Sequence, residues 1–379
     1  MGIKSIIIFV DWYLPGFKAG GPIQSVSNFV SSFKTEFDIS IVTSDRDLGD
    51  DKPYSNLKLN EWVSFNGYKV MYLDRQHQNN KIYRSLFTEK KYDFVYLNSL
   101  FSLPFTIKPL YEARKYGLKI VLAPRGMLGD GSLKIKTFKK RVFLFFTRFI
   151  RFFKHITWHA TTKEEIRNIK VYIGKHAEIK LAPNLAVLAQ NFVPRQKNIN
   201  CLRLFYLSRI SSIKNLHNAL NMLRNVQSSY SVQYFIIGPV DDKNYWARCN
   251  EIINTLPAHI SVEYLGAVPN HKLFEILKCY HFLFLPTLHE NYGHAIIESM
   301  IAGCPVIISD KTPWLNLYEK GVGWDIALDN PDKFTGAIET CARMGQGEYN
   351  AMSLRAYEYA KQVTENPEVV ETNRRLFEN

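Results

Sequence analysis

LPTLHENYGHAIIESMIAGCPVIISDKTP, residues 285–313, is the stretch that decides how this chain is read. It opens where an apolar run (HFLFL, 281–285) ends and passes through a polar loop holding Asn291 and Gly293. It then takes helical spacing from about His294 and returns to an apolar, β-branched run at 304–308. Buried strand, glycine loop, helix and buried strand in that order make one unit of a parallel sheet covered on both faces. In such sheets a ligand sits at the carboxyl ends of the strands, where loop amides and a helix N-terminus face the crevice. The amides of Asn291, Tyr292, Gly293, His294 and Ala295 are placed to take a diphosphate, and a glycine at 293 lets the backbone approach it closely. Glu290 on the loop suits hydrogen bonds from sugar hydroxyls. Glu298, one turn into the helix, suits the hydroxyls of a ribose. Two isolated glutamates would read as solvated carboxylates; set in register with strand, loop and helix, they read as a ligand site.

Outward from this unit the same alternation fills the chain. Apolar runs at 202–207, 232–237 and 261–265 precede it, with helical spacing over 214–229, 243–255, 270–279 and 293–302. A separate set occupies the first half, at 5–10, 38–43, 68–73, 92–97 and 118–123, with helices expected over 22–36 and 104–116. At 379 residues the chain is long for one α/β domain and comfortable for two. The expected fold class is α/β, two Rossmann-like domains in tandem with a cleft between them. The boundaries expected are 1–187 for the first domain, 188–200 for a polar linker and 201–352 for the second. Residues 353–379 read as a closing helix that can pack back on the first domain.

The spacing Glu290, seven residues, Glu298, within HENYGHAIIESM and ahead of AGCPVIISD, resembles the donor-site signature of family-4 retaining glycosyltransferases of the GT-B fold, the group 1 glycosyl transferases of polysaccharide and lipopolysaccharide assembly. The resemblance implies an N-terminal acceptor-binding domain, a C-terminal nucleotide-sugar-binding domain, and donor contacts from the residues just named. LFYLSRISSIKNLH at 204–217 resembles the family's arginine-and-lysine element after the first strand of the second domain, with Ser208 where a glycine is usual. It implies that Arg209 and Lys214 neutralise the leaving diphosphate, and that they are catalytic together with Glu290. LPGFKAGGPIQSVSN at 14–28 resembles the glycine loop facing donor phosphate and acceptor, which implicates Gly20 and Gly21. VLAPRGML at 121–128 and HATTKEE from His159 resemble acceptor-side elements and implicate Arg125 and His159. Asn98 stands after the 92–97 strand, where many relatives carry a histidine.

The net charge of +13 is uneven. Residues 1–187 carry 30 Lys and Arg against 16 Asp and Glu, whereas residues 188–379 carry 18 against 19. The first half therefore expects an anionic partner. The segment 132–158, SLKIKTFKKRVFLFFTRFIRFFKHITW, has eight Lys and Arg, no acids, and phenylalanines at helical spacing. Lys136, Lys139, Lys140, Arg141, Arg148 and Arg151 are expected to meet anionic lipid headgroups or a polyprenyl-pyrophosphate acceptor, with the phenylalanines partly in the core.

Five scattered cysteines without a CxxC pair fit a reducing compartment and oppose a disulfide framework or zinc site. The short apolar start, MGIKSIIIFV, reads as a first strand rather than a signal peptide, and no stretch is long enough to span a bilayer. The expected location is cytoplasmic, peripheral on the inner face of the cell membrane. Asp45-Arg46-Asp47 matches a metal-holding DxD pattern, but the surrounding chain does not fit the single-domain fold that uses it, so neither metal nor other cofactor is expected. No recognition motif supports nucleic-acid binding. Two rival readings remain: a nucleotide-sugar epimerase on the same scaffold, and a non-catalytic membrane-docking protein.

Overall fold

The computed structural model describes residues 2–129, 137–150, 152–187 and 191–378. The chain divides into two compact units, Met1–Leu185 with Pro367–Asn379, and Ala186–Asn366.

The first unit is built on strands β1 (Ser5–Val10), β2 (Asp38–Ser44), β3 (Trp62–Phe65), β4 (Tyr68–Leu73), β5 (Phe94–Asn98), β6 (Lys119–Ala123), β7 (Thr157–Ala160) and β8 (Glu178–Leu181). They form one sheet in the order β3-β4-β2-β1-β5-β6-β7-β8. Every pairing is parallel except β3 with β4. Strand β1 shows why its sequence is unbroken in hydrophobicity. Ile6, Ile8 and Val10 enter one core and Ile7 and Phe9 the other, because successive side chains alternate faces and both faces are covered. The first face carries helix α1 (Gly21–Phe33), with Val26, Phe29 and Phe33 in its core. The second carries α2 (Asn80–Glu89), α3 (Lys108–Lys115), α4 (Thr137–Phe149) and α5 (Lys163–Tyr172), through Tyr83, Leu110, Leu144 and Ile169. A π-helical turn, Leu103–Ile107, leads into α3.

The second unit has β9 (Cys201–Leu207), β10 (Ser231–Ile237), β11 (Ile260–Gly266), β12 (Phe282–Leu285), β13 (Val306–Ser309) and β14 (Gly323–Ile326). They are all parallel, in the order β11-β10-β9-β12-β13-β14. Its helices are α6 (Leu216–Arg224), α7 (Lys243–Ile253), α8 (Asn270–Leu277), α9 (His294–Ile301), α10 (Pro331–Arg343) and α11 (Gln346–Thr364).

Two expectations about the chain's course change. The polar stretch expected as a linker is fastened to the second unit. Arg195 and Lys197 are buried there, Arg195 donating to the carbonyls of Ala302 and Gly303 and Lys197 to those of Ala342 and Asn198. The expected closing helix over 353–379 is instead two helices, α11 and α12 (Pro367–Arg374). Pro367 forces the break, since it can neither donate to a preceding turn nor tolerate helical backbone before it. The part after the break belongs to the first unit. Phe377 packs its ring against Phe29, Phe37, Phe94 and Tyr96, and Arg374 pairs with Glu36 at 2.7 Å.

Candidate functional site

In the second unit the strands run outward from β9 to β11, and the chain then returns to β12 on the other side of β9. The order reverses between β9 and β12, and an open parallel sheet binds ligands outside its strand ends at such a point. The loop after β9 carries Arg209 and Lys214; the loop after β12 carries Glu290. They are brought together: Lys214 Nζ lies 2.5 Å from Glu290 Oε1, and each side chain is only 14% exposed. The two loops are stitched by backbone. Asn215, in left-handed conformation, donates Nδ2 to the Pro286 carbonyl at 2.8 Å, and the Leu288 amide donates to Ile213 at 2.8 Å. The Glu290 amide donates to Lys311 at 3.0 Å, fixing the far side of its loop. Arg209 extends to Asp241 at 2.8 Å. Asp241, in the loop after β10, carries no signal in the sequence beyond a polar GPVDD turn.

The glycine usual before Arg209 is Ser208 here, and the structure shows where the room comes from. Gly238, on the neighbouring strand end, has φ of 144°, and a Cβ there would lie 2.0 Å from the Ser208 carbonyl oxygen. The two loops approach closely at Gly238, so a side chain is excluded there and not at Ser208.

Gly293 caps α9 in left-handed conformation, and a Cβ would meet Ile296 Cδ1 at 2.8 Å. Trp314 Nε1 donates to the Tyr292 carbonyl at 2.5 Å, which holds the loop 291–293 from behind. The Ile296 amide turns back to the Gly293 carbonyl at 2.9 Å, and the first amides of the helix point along its axis, as helix N-termini do. Glu298 is 5% exposed, with no cation paired to it among the described residues. Burial pushes its carboxyl up to about 8. A buried carboxyl with no cation beside it is costly to ionise in the free protein, and a carboxyl so placed near a helix N-terminus is a candidate ligand contact.

In the first unit the reversal lies between β1 and β5. The pairings Val10 with Asn98 and Asn98 with Ala123 set the ends of β1, β5 and β6 at one level. Asp11, which sequence reasoning did not select, follows β1 there. It accepts from Ser102 Oγ at 2.5 Å, and burial raises its carboxyl above the usual range. Arg125 and Asn98 meet: Nε and Nη2 of Arg125 donate to Asn98 Oδ1 at 3.2 and 2.6 Å. Nη2 also donates to the Tyr96 hydroxyl at 2.8 Å, and Nη1 to Asn184 Oδ1. His159 was expected to touch an acceptor; the structure places it behind the others instead. It is 1% exposed and both ring nitrogens are engaged, Nδ1 with Tyr96 at 2.8 Å and Nε2 with the Ala182 carbonyl at 2.7 Å. Burial, then the Arg125 charge, hold it down to about 3, so it is neutral. Nε2 must donate to a carbonyl, so Nδ1 accepts from Tyr96. His159 therefore orients Tyr96, and through it Arg125. Glu165 accepts from the Gly126 amide at 2.6 Å and from the amide and hydroxyl of Thr161.

Gly20 caps α1 at φ 64°, with Gly21 as the first helical residue. The DxD pattern has a structural use: Asp47 accepts from the amides of Phe17 and Lys18 at 2.7 and 3.0 Å and so clamps the glycine loop, while Asp45 pairs with Arg46 at 2.7 Å. Among the described residues no group of three His, Cys, Asp or Glu is set to hold a metal ion.

Helix α4 packs through Phe143, against Phe101 and Phe153, and through Leu144. The core takes fewer of its phenylalanines than expected: Phe138, Phe145, Phe146 and Phe149 are 81, 68, 59 and 80% exposed. Beside α4 lies a cavity of about 1210 Å³ lined by Arg148, Lys154, His155, Lys170, Lys175 and His176, with Glu178 as its one acid. Lys136 and Arg151 lie outside the described residues. Among the described residues no helix is long and apolar enough to cross a membrane.

Comparison with known proteins agrees with this geometry. Residues 190–362 match the family Glycosyl transferases group 1, which covers nearly all of the second unit and less than half of the chain. An uncharacterized glycosyltransferase of Methanocaldococcus jannaschii is 21% identical over 165 residues, 43% of this chain and 42% of its own length. That match spans less than half of the curated relative. Over the whole chain the fold is that of GT-B glycosyltransferases. It is similar to Anabaena HepE in complex with UDP and glucose (TM-score 0.72, 14% identity, 98% of both chains). It is also similar to sucrose-phosphate synthase from Thermosynechococcus elongatus (TM-score 0.70, 12% identity, 99% of this chain and 98% of that one). A third likeness is WaaG, a glycosyltransferase involved in lipopolysaccharide biosynthesis (TM-score 0.68, 12% identity, 98% of both chains). These findings give the chain the fold of GT-B glycosyltransferases and a second unit that matches the Glycosyl transferases group 1 model.

Proposed function

We propose that the protein transfers a sugar, with retention, from a nucleotide-sugar donor to a glycan or polyprenyl-pyrophosphate-linked saccharide in surface polysaccharide assembly. The observation that carries this is the Lys214–Glu290 pair at the strand-order reversal, with the N-terminus of α9 and the buried Glu298 in the same unit. Glu298 takes the ribose hydroxyls, and the amides of 291–295 take the diphosphate. The bond from the sugar C1 to the diphosphate oxygen breaks as the bond from the acceptor oxygen forms on the same face. Arg209, Lys214 and the helix N-terminus stabilise the charge gathering on the leaving group. Glu290 holds the sugar, and the leaving phosphate oxygen takes the proton of the acceptor hydroxyl. This scheme demands neither a protein base nor a metal. The complex of HepE with UDP and glucose supports a nucleotide-sugar donor, and the likeness to WaaG supports a surface glycan as product.

Calorimetric titration with UDP, GDP and ADP, without and then with magnesium, tests the donor site. Tight binding of one nucleotide in either condition names the donor class, and binding without magnesium supports the metal-free scheme. No binding by any of them removes the transferase reading. An epimerase would release free sugar or epimer from donor alone, so donor turnover that requires an acceptor separates the two.

The protein works at an anionic membrane surface in this reading. Four exposed phenylalanines on α4 beside Lys139, Lys140 and Arg141, with the basic cavity next to them, combine the apolar and cationic halves of an interfacial helix. Each basic residue near an anionic surface contributes about 1 kcal/mol. Reversing the charges of Lys139, Lys140 and Arg141 should therefore weaken binding to vesicles containing anionic phospholipid by roughly 100-fold or more. Unchanged co-sedimentation with those vesicles would rule the surface out.

A further inference from the structure

The cluster around Arg125 in the first unit has features that the donor chemistry does not use. Arg125 is held in left-handed backbone at φ 54°, a conformation costing a non-glycine residue on the order of 1 kcal/mol or more. Its guanidinium rests on three neutral acceptors, the side-chain oxygens of Asn98 and Asn184 and the hydroxyl of Tyr96. Among the described residues no carboxylate pairs with it. The nearby carboxylate, Glu165, is taken up by the Gly126 amide and by the amide and hydroxyl of Thr161. Tyr96 is fixed in turn by neutral His159. A second observation is independent of the charge: Nδ2 of Asn98, itself 3% exposed, is a buried donor with no partner. Leaving such a donor unpaired costs about 1–3 kcal/mol. A strained backbone, a rigid neutral cradle and a spare amide donor thus surround one uncompensated cation, at the level where this sheet's strand order reverses.

We propose that Arg125 and Asn98 form an oxyanion-binding site, and that the acceptor saccharide carries a carboxylate or phosphate group that docks there. The guanidinium's planar fork suits either anion. The name acceptor rests on the transferase reading; the anion site itself does not.

The test is binding of glucose 1-phosphate, glucuronate and glucose to the full chain, followed by calorimetry, for the wild type, Arg125→Gln, Arg125→Lys and Tyr96→Phe. One or both anions should bind the wild type at least tenfold tighter than glucose. Preference for glucose 1-phosphate assigns a phosphate, and preference for glucuronate assigns a uronic acid. Arg125→Gln should lose that margin, Arg125→Lys should keep part of it, and Tyr96→Phe should fall between. Equal affinity for glucose and the anions in the wild type overturns the site, and that comparison does not depend on any variant folding. Anion binding that persists at full strength in folded Arg125→Gln also overturns it, whether the anions then sit in the donor site or in the basic cavity beside α4. UDP binding, measured alongside, should be equal in the wild type and Arg125→Gln. Its absence from the wild type would sink the transferase reading and leave the anion comparison standing.

Discussion

Glu298→Gln gives a protein that melts higher than the wild type at pH 8 and binds nucleotide more weakly. Glu298 is almost fully buried and has no cation paired to it among the described residues. Burial holds its proton until about pH 8, whereas in the unfolded chain the same carboxyl ionises near 4.5. Between those values the folded state binds the extra proton, so stability falls as pH rises. The stability is complete below the unfolded value and is lost progressively up to about pH 8. The upper bound of that loss is on the order of 4–5 kcal/mol, from about 1.4 kcal/mol per pH unit. Glutamine keeps the shape without the charge and has no such slope. The melting temperatures of the two proteins should coincide near pH 5 and diverge by roughly 5–10 °C at pH 8. Meanwhile UDP, or whichever nucleotide binds, should lose about tenfold in affinity, because a carboxylate accepts both ribose hydroxyls and an amide oxygen serves them less well. Greater stability joined to weaker binding is the mark of a residue kept for its ligand. Equal melting curves at pH 8 would show that Glu298 is solvated or neutralised in solution. Unchanged nucleotide affinity would remove it from the donor site.

Much of this was legible because buried parallel strands announce themselves. β12 is an unbroken apolar run, β1, β4, β5, β6, β9, β10 and β13 are predominantly apolar with one or two polar residues each, and β2 has three apolar residues among four polar ones. The strands that pattern reading missed lack that signature. β3 is a short antiparallel edge strand that is half exposed, β8 is an edge strand of EIKL and β14 an edge strand of GWDI, while β7, inside the sheet, is only four residues, TWHA, too short for a run to show. Edge strands bury one side only and need no hydrophobic run. The pair Lys214–Glu290 was legible as two separate motifs, because each sits on its own strand–loop–helix unit. That they touch follows from β9 and β12 being neighbours, which spacing along the chain does not state. The network behind Arg125 was less accessible. Tyr96 and Asn184 are ordinary residues in ordinary runs, and only the register of three strands brings them to one guanidinium. His159 stands out by its resemblance to a family position, yet its role depends on burial, and burial of a single histidine leaves no trace in sequence.

Separating Lys214 from Glu290 should produce opposite effects on nucleotide binding from the two ends of one ion pair. At 2.5 Å and 14% exposure on each side, the pair is partly desolvated, and removing one member strands the other's charge. Lys214→Ala leaves Glu290 facing the incoming diphosphate. Donor affinity should fall at least tenfold, and transfer by roughly a hundredfold to a thousandfold, the loss expected when one preorganised group stabilising a leaving oxyanion is removed. Glu290→Ala has the reverse consequence for nucleotide. Lys214 no longer has to leave a carboxylate in order to meet the phosphates, so UDP should bind as tightly as to the wild type or more tightly. Transfer should nevertheless collapse, because the sugar loses the carboxylate that positions it. The double variant should be more stable than the sum of the single losses predicts, since neither charge is stranded; the shortfall measures the coupling within the pair. Nucleotide titrations, initial rates and denaturant melts on the four proteins of this cycle check every step. Parallel loss of nucleotide affinity in both single variants would mean that Glu290 supports the loop and not the sugar. The division of labour between the two residues would then have to be abandoned, although the fold that brings them together would stand.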